Sequence, residues 1–174
     1  MKNMKNMKNI LRHISSFIAP ITLCFVIPYF ILLHEHFLSS ELIDKTIILF
    51  IILGLIFNLI GLILLVLTIR MFILIGNGTI MSWHPTKKLV VVSFYAYVRN
   101  PMLLSIIIIL LGESITFVSH GIAMFAILSF ILSEVYLIFA EEPGLEKRFG
   151  KEYIEYKRNV PRWIPRFKPW KPNE

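Results

Sequence analysis

Glu141-Glu142-Pro143-Gly144-Leu145 follows directly on the apolar run His120 to Ala140 and continues through Phe149-Gly150, Tyr153, Tyr156 and Val160-Pro161. Two adjacent ionised carboxylates are too costly to leave in hydrocarbon, so the pair marks a membrane edge or a polar cavity. Pro143 has no amide hydrogen to donate, and a membrane helix is expected to end or bend there. Beyond it, Leu145, Phe149, Tyr153, Tyr156 and Val160 recur on one face of a helix, the pattern of an amphipathic surface segment. A membrane helix followed by a surface helix accounts for most of these residues. The concentration of polar chemistry at one membrane edge also makes this the first place to look for a site.

Working outward, the 174 residues are 56% hydrophobic with a mean hydropathy of +0.72, outside the range of soluble globular chains. Four apolar stretches stand out: Ile14 to Leu33, Ile47 to Ile75, Met102 to Val118 and Ser119 to Ala140. Crossing ~30 Å of hydrocarbon takes about 20 helical residues. The expected fold is therefore all-α, an integral membrane protein with about four transmembrane helices and a cytoplasmic amphipathic C-terminal helix. The net charge of +7 would suggest nucleic acid in a soluble chain. Here the basic residues flank apolar runs, as the positive-inside rule requires, and no nucleic-acid partner is expected.

The N-terminal 1–13, three copies of Met-Lys-Asn followed by Arg12, reads as a basic cytoplasmic tail without a small-residue cleavage site after it. Residues 14–75 hold the first two spans, with Pro20 and Pro28 tolerated as kinks. Cys24, the single cysteine, reads as a small packing residue. His34-Glu35-His36 invites a metal reading, but nothing nearby completes a ligand set and a solvated loop is expected. In the second span Gly54, Asn58 and Gly61 share one face, the mark of close helix packing, and Arg70 lies near the cytoplasmic end. Gly76-Asn77-Gly78 and His84-Pro85 are turn signals. Gly76-x-Gly78 lacks the third glycine and preceding strand of a dinucleotide fingerprint. Gly112-Glu113 interrupts the third stretch, so a turn near Glu113-Ser114 or near Ser119-His120 makes a helical hairpin of the third and fourth. Glu134 lies seven residues before Glu141, on the same helix face and roughly 10 Å away. It is either a functional intramembrane carboxylate or a protonated structural hydrogen-bonder.

The basic segments are the tail, the Lys87 to Arg99 connection and the C-terminus; the loop His34 to Lys45 and the hairpin turn are not. Both termini and the connection then lie in the cytoplasm. Arg99 and Glu141-Glu142, far apart in sequence, become the two feet of one hairpin. An arginine and a carboxylate pair converging there suit a zwitterionic ligand.

These residues also carry a resemblance. Gly78-Thr79, Lys87-Lys88-Leu89-Val90, Tyr95-x-Tyr97-Val98-Arg99-Asn100-Pro101-Met102 and Glu141-Glu142-Pro143-x-Leu145 occur in order. Phe149-Gly150, Tyr153, Tyr156 and Val160-Pro161-Arg162-Trp163-Ile164-Pro165-Arg166 follow. Together they resemble the isoprenylcysteine carboxyl methyltransferase and phospholipid methyltransferase group of integral membrane enzymes, over about Gly76 to Phe167. The resemblance implies a membrane methyltransferase core at 76–167, a tail at 168–174 and methyl transfer from S-adenosylmethionine to a lipophilic or membrane-delivered acceptor. It carries cofactor contacts onto Lys87, Lys88, Leu89, Val90, Tyr95, Asn100, Pro101, Met102, Leu103, Glu141 and Glu142, with Arg99 and Glu141 as the catalytic pair. The family's Arg-His-Pro-x-Tyr-x-Gly motif stands here as Arg99-Asn100-Pro101-Met102-Leu103-Leu104-Ser105. Leu103 removes an aromatic hydroxyl from the implied pocket, Ser105 replaces a helix-packing glycine, and Ser93 replaces a turn glycine. Two rival readings are a membrane reductase with a nicotinamide cofactor and a non-catalytic protein on the same scaffold.

Charge asymmetry makes the topology testable. Reporter fusions after Asn9, His36, Lys88 and Glu174 are expected to read inside, outside, inside and inside. An outside signal at Lys88 would separate Arg99 from the other foot of the hairpin and contradict a shared site.

Overall fold

The computed structural model describes residues 18–35, 45–76 and 89–171, and among them every regular element is helical. Helix α1 is Ile18–His34, with a π-helical turn at Thr22–Val26. Helix α2 is Lys45–Gly76, α3 is Pro101–Thr116 and α4 is His120–Tyr136. A π-helical turn, Leu137–Glu141, carries α4 into α5, Glu142–Phe149, and α6 is Lys151–Asn159. Ile-rich runs of this kind become helices because hydrocarbon offers no partner for a backbone amide, so each must bond within its own segment. Two stretches, Ile47–Met71 and His120–Phe149, are long and apolar enough to cross a bilayer; Ile18–His34 and Pro101–Thr116 are shorter apolar helices. The outward residues of α2, among them Leu49, Ile52, Leu59 and Ile63, are exposed and apolar, a surface suited to lipid.

The face of small residues in α2 is the contact with α3. A Cβ added at Gly54 would sit 2.1 Å from Thr116 Oγ1 and 2.6 Å from the Gly112 carbonyl. One at Gly61 would sit 2.7 Å from Ile109 Cγ1, and one at Gly112 would sit 2.8 Å from the Asn58 amide nitrogen. The amide of Asn58 donates to Thr116 Oγ1 at 3.4 Å across the same seam. Ser105, which stands where a packing glycine was expected, is fully buried and donates to the Met102 carbonyl at 2.6 Å, so its hydroxyl is satisfied within its own helix. Around this seam Cys24, Leu65, Ile69, Ile106, Ile109, Leu110 and Ala126 form the intramembrane core, joining α1, α2, α3 and α4.

Two sequence expectations about helix ends are corrected. Gly112-Glu113 does not interrupt α3, which runs on to Thr116 because Gly112 is a packing position rather than a break. The hairpin turns at Phe117 to Ser119, the second of the two places considered, with Val118 at a φ of +49° and Ser119 Oγ accepting from the Ile122 amide at 3.0 Å. Of the end or bend expected at Pro143, the end does not occur. The proline lies in the first turn of α5, where a missing amide hydrogen costs least, and the wide π turn before it takes up the change of register. The helical rod ends instead at Gly150, whose φ of +55° and ψ of −127° suit glycine alone.

The expected amphipathic face is present, split between α5 and α6. Tyr153, Tyr156 and Val160 are buried, with Leu89, Val91, Leu145, Phe149 and Trp170 packed on them. Beyond α6 an extended arm, Pro161 to Lys171, returns along the connection. The Arg99 amide donates to the Pro161 carbonyl at 2.9 Å, Arg166 to Tyr97 at 3.0 Å and Trp170 to Ala96 at 2.9 Å.

The α2–α3 seam separates two glycines by their surroundings. Gly54→Ala forces a methyl into the α3 backbone and is expected to destabilise the protein by ~1–3 kcal/mol. Gly144→Ala in α5 meets nothing within 4 Å and should stabilise by up to ~1 kcal/mol. Unfolding in nanodiscs measures both, and equal effects would contradict the described seam.

Candidate functional site

The site is built from three elements that meet where the α4–α5 rod leaves the apolar core. The connection supplies Tyr95 from a 3-10 turn, Ser93–Ala96, then Arg99 and Asn100 just before Pro101 opens α3. Ser93, in place of the turn glycine, adopts a φ of +54°. The α4–α5 rod supplies Glu134, Glu141 and Glu142. Helix α6 and the arm supply Tyr153, Tyr156, Lys157, Arg162 and Trp163.

Glu142 is 3% exposed and is held by three cations. Arg99 Nη1 lies 2.9 Å and Arg162 Nε 2.8 Å from its Oε1, and Lys157 Nζ lies 2.9 Å from its Oε2. A carboxylate this buried persists as an anion because its partners are both charged and hydrogen-bonded to it. Lys157 also reaches Glu146 at 2.8 Å, and these two carboxylates, Glu146 first, hold the lysine pKa above its usual value. Arg162 spans from Glu142 to Glu134, which also accepts from the Trp163 indole. Glu134 is therefore not the protonated hydrogen-bonder considered from sequence: it is ion-paired to Arg162 and fastens the arm.

Glu141, next door, is different: it has no hydrogen-bond or ion-pair partner among the described residues. Arg99 Nε, in the same guanidinium that grips Glu142, is buried and has no hydrogen-bond partner among the described residues. Around them the phenols are dry. Burial, and then the nearby Glu141, raise the Tyr95 pKa; burial raises that of Tyr156, whose hydroxyl donates to the Tyr95 carbonyl at 2.7 Å. Tyr153 is shifted the same way, by burial first and then by Glu142, against the lowering pull of the Arg99 guanidinium beside its hydroxyl. The arrangement offers one unsatisfied donor and one unpaired carboxylate beside buried aromatic rings.

A family model describing phospholipid methyltransferases matches residues 49–152, more than half of the chain. The protein belongs to the phospholipid methyltransferase family. The matched region runs from α2 into the start of α6, so it holds Arg99, Glu141 and Glu142 and stops before Tyr153, Lys157 and the arm. No curated protein sequence and no solved structure matches the chain.

In this methyltransferase-family protein the residues named from sequence fall into three groups. Arg99, Tyr95, Glu141 and Glu142 are brought together, with Arg99 bonded to Glu142 rather than to Glu141. Leu89 packs on the Tyr153–Tyr156 cluster and Val90 is buried. Asn100, Pro101, Met102 and Leu103 form the entry to α3; Pro101 is fully buried, and Met102 and Leu103 pack on the intramembrane core. Lys87 and Lys88 lie outside the described residues, as do Gly78-Thr79 and His36. Lys157 and the ion-pairing role of Arg162 were not foreseen. The available signal was the run of cations after Tyr156 with no acid among them.

The contrast between neighbours yields a test. Glu142→Gln leaves the buried Arg99 and the partly buried Arg162 without their counter-charge and is expected to destabilise by ~3–5 kcal/mol. Glu141→Gln removes no contact and should stay within ~0.5 kcal/mol of the parent. Thermal unfolding in nanodiscs measures both, and reversed effects would mean that the other carboxylate is the anchor.

Proposed function

We propose that the protein transfers a methyl group from S-adenosylmethionine to a lipophilic or membrane-delivered acceptor, an isoprenylcysteine-like carboxylate, a phospholipid amine or a similar group. Family membership supports methyl transfer. The observation that carries the cofactor reading is that two groups gathered at Glu142 are left unused, the buried Nε of its partner Arg99 and the carboxylate of the adjacent Glu141.

The donor set fits such a cofactor. An orphaned guanidinium N–H binds a carboxylate, and an unpaired carboxylate beside tyrosine faces suits an ammonium or a sulfonium. When bound, S-adenosylmethionine supplies an electrophilic methyl, whose bond to sulfur breaks as a bond to the acceptor oxygen or nitrogen forms. The chain's own part is then chiefly orientation and exclusion of water. Arg99 is fixed by Glu142, so its free N–H points from a rigid mount. The arm, bonded along Ala96 to Arg99, covers the connection. A carboxylate acceptor needs no base. An amine acceptor must lose a proton, and Glu141 is the carboxylate placed to take it, since Glu134 and Glu142 are already committed to cations. The same reading takes α1 to α4 as four spans, with both termini and the site on the cytoplasmic side.

Isothermal titration with S-adenosylhomocysteine in nanodiscs tests this. Binding is expected, with Glu141→Gln weakening it by about ten- to a hundredfold, equivalent to ~1.5–3 kcal/mol for a lost charged contact. Affinity within twofold of the parent for that variant would remove Glu141 from the site. Binding of NADPH instead would move the protein to the reductase reading.

A further inference from the structure

From Tyr156 to Asn173 the chain carries six cations and no acidic residue. Lys157 and Arg162 are taken up by Glu142, Glu146 and Glu134. The other four are not. Arg158, Lys168 and Lys171 are exposed and have no ion-pair partner among the described residues, and Arg166 keeps Nη1 buried with no hydrogen bond. Between them lie two apolar side chains that none of the described residues covers: Ile164 is 78% exposed and Phe167 is 104% exposed.

The position of this arm is set by contacts already described. The Trp163 ring packs 4.8 Å from that of Phe130, within the stretch His120–Phe149 that is long and apolar enough to cross a membrane, and its indole bonds to Glu134. The arm therefore runs beside residues of α4 whose neighbours Ile131, Val135 and Ile138 are exposed and apolar. From there the arm runs outward to the connection, where Arg166 and Trp170 bond to Tyr97 and Ala96, so its exposed apolar side chains and cations pass through the boundary of hydrocarbon and headgroups.

We infer that the arm, Pro161 to Lys171, is a docking surface for anionic phospholipid. Ile164 and Phe167 enter the acyl boundary, and Lys168 and Lys171 engage headgroup phosphates. Charge complementarity selects this occupant: an anionic lipid brings negative charge to the exposed Lys168 and Lys171, whereas a second copy would bring the same cations face to face. Because the arm is bonded to the connection that carries Arg99, the lipid holds the cover over the candidate site. The inference rests on α4 crossing the membrane and does not require methyl transfer.

Hydrogen exchange of the full chain in nanodiscs tests it, read at the amides of Arg166 and Trp170, which bond to Tyr97 and Ala96. Discs of phosphatidylcholine alone are compared with discs that also contain phosphatidylglycerol. Both amides are expected to exchange more slowly with the anionic lipid. Lys168→Gln/Lys171→Gln, remote from the charge cluster on Glu142, should lose most of that protection, at roughly fivefold per charge removed, and high salt should erase it. Equal exchange in the two lipids would overturn the inference. So would protection that persists in the double variant, or protection in phosphatidylcholine alone that follows the number of copies per disc. S-adenosylhomocysteine titrated into the same discs keeps the two proposals apart. Cofactor binding without a lipid effect sinks the docking surface alone, and a lipid effect without cofactor binding sinks the methyl-transfer reading alone.

Discussion

Glu142 carries a negative charge at a place where water is nearly excluded, and everything around the candidate site answers that constraint. An isolated carboxylate there would be untenable, so cations must come to it. They come from three separate pieces of chain: Arg99 before α3, Lys157 from α6 and Arg162 from the arm. A single side chain thereby ties together the connection, the end of the membrane rod and the C-terminal unit. Glu134, sharing Arg162 and holding Trp163, extends the tie back along α4. The cost of desolvating Glu142 is what sets the geometry of its neighbours, Arg99 Nε and Glu141.

That arrangement stands on a stiff base. Glycines at 54, 61 and 112 bring α2 and α3 into backbone contact, which fixes where Pro101, and hence Arg99, emerges. The π turn at Leu137–Glu141 then sets the rotation of α5. Such turns recur at functional sites because one extra residue redirects the side chains that follow without ending the helix. Here it decides which of two adjacent carboxylates faces the cations and which is left unpaired.

Much of this was legible in the sequence. The apolar stretches, the packing face of α2 and the burial of Tyr153, Tyr156 and Val160 follow from periodicity, and those elements are present. The convergence of Arg99 with the Glu141-Glu142 pair followed from charge topology. What sequence could not resolve was the choice between the two glutamates. Adjacent residues on a helix point about 100° apart, so the choice depends on a rotation set by the π turn, and no residue there announces one. Gly112, and Pro143 so far as it suggested an end, misled for a related reason. Each is a helix breaker in isolation, and each is accommodated by a neighbour, Asn58 of α2 for the glycine and the π turn for the proline. Long cations such as Lys157 and Arg162 reach partners that no spacing rule identifies.

The central claim is that Glu142 is one shared anchor rather than the end of several independent surface pairs. A double-mutant cycle between Glu142→Gln and Arg162→Gln, read as unfolding free energy in nanodiscs, measures this directly. A shared buried anchor predicts strong non-additivity, with an interaction energy of ~1–3 kcal/mol. Two effects that sum to within ~0.5 kcal/mol would contradict it and return the cluster to ordinary surface charge.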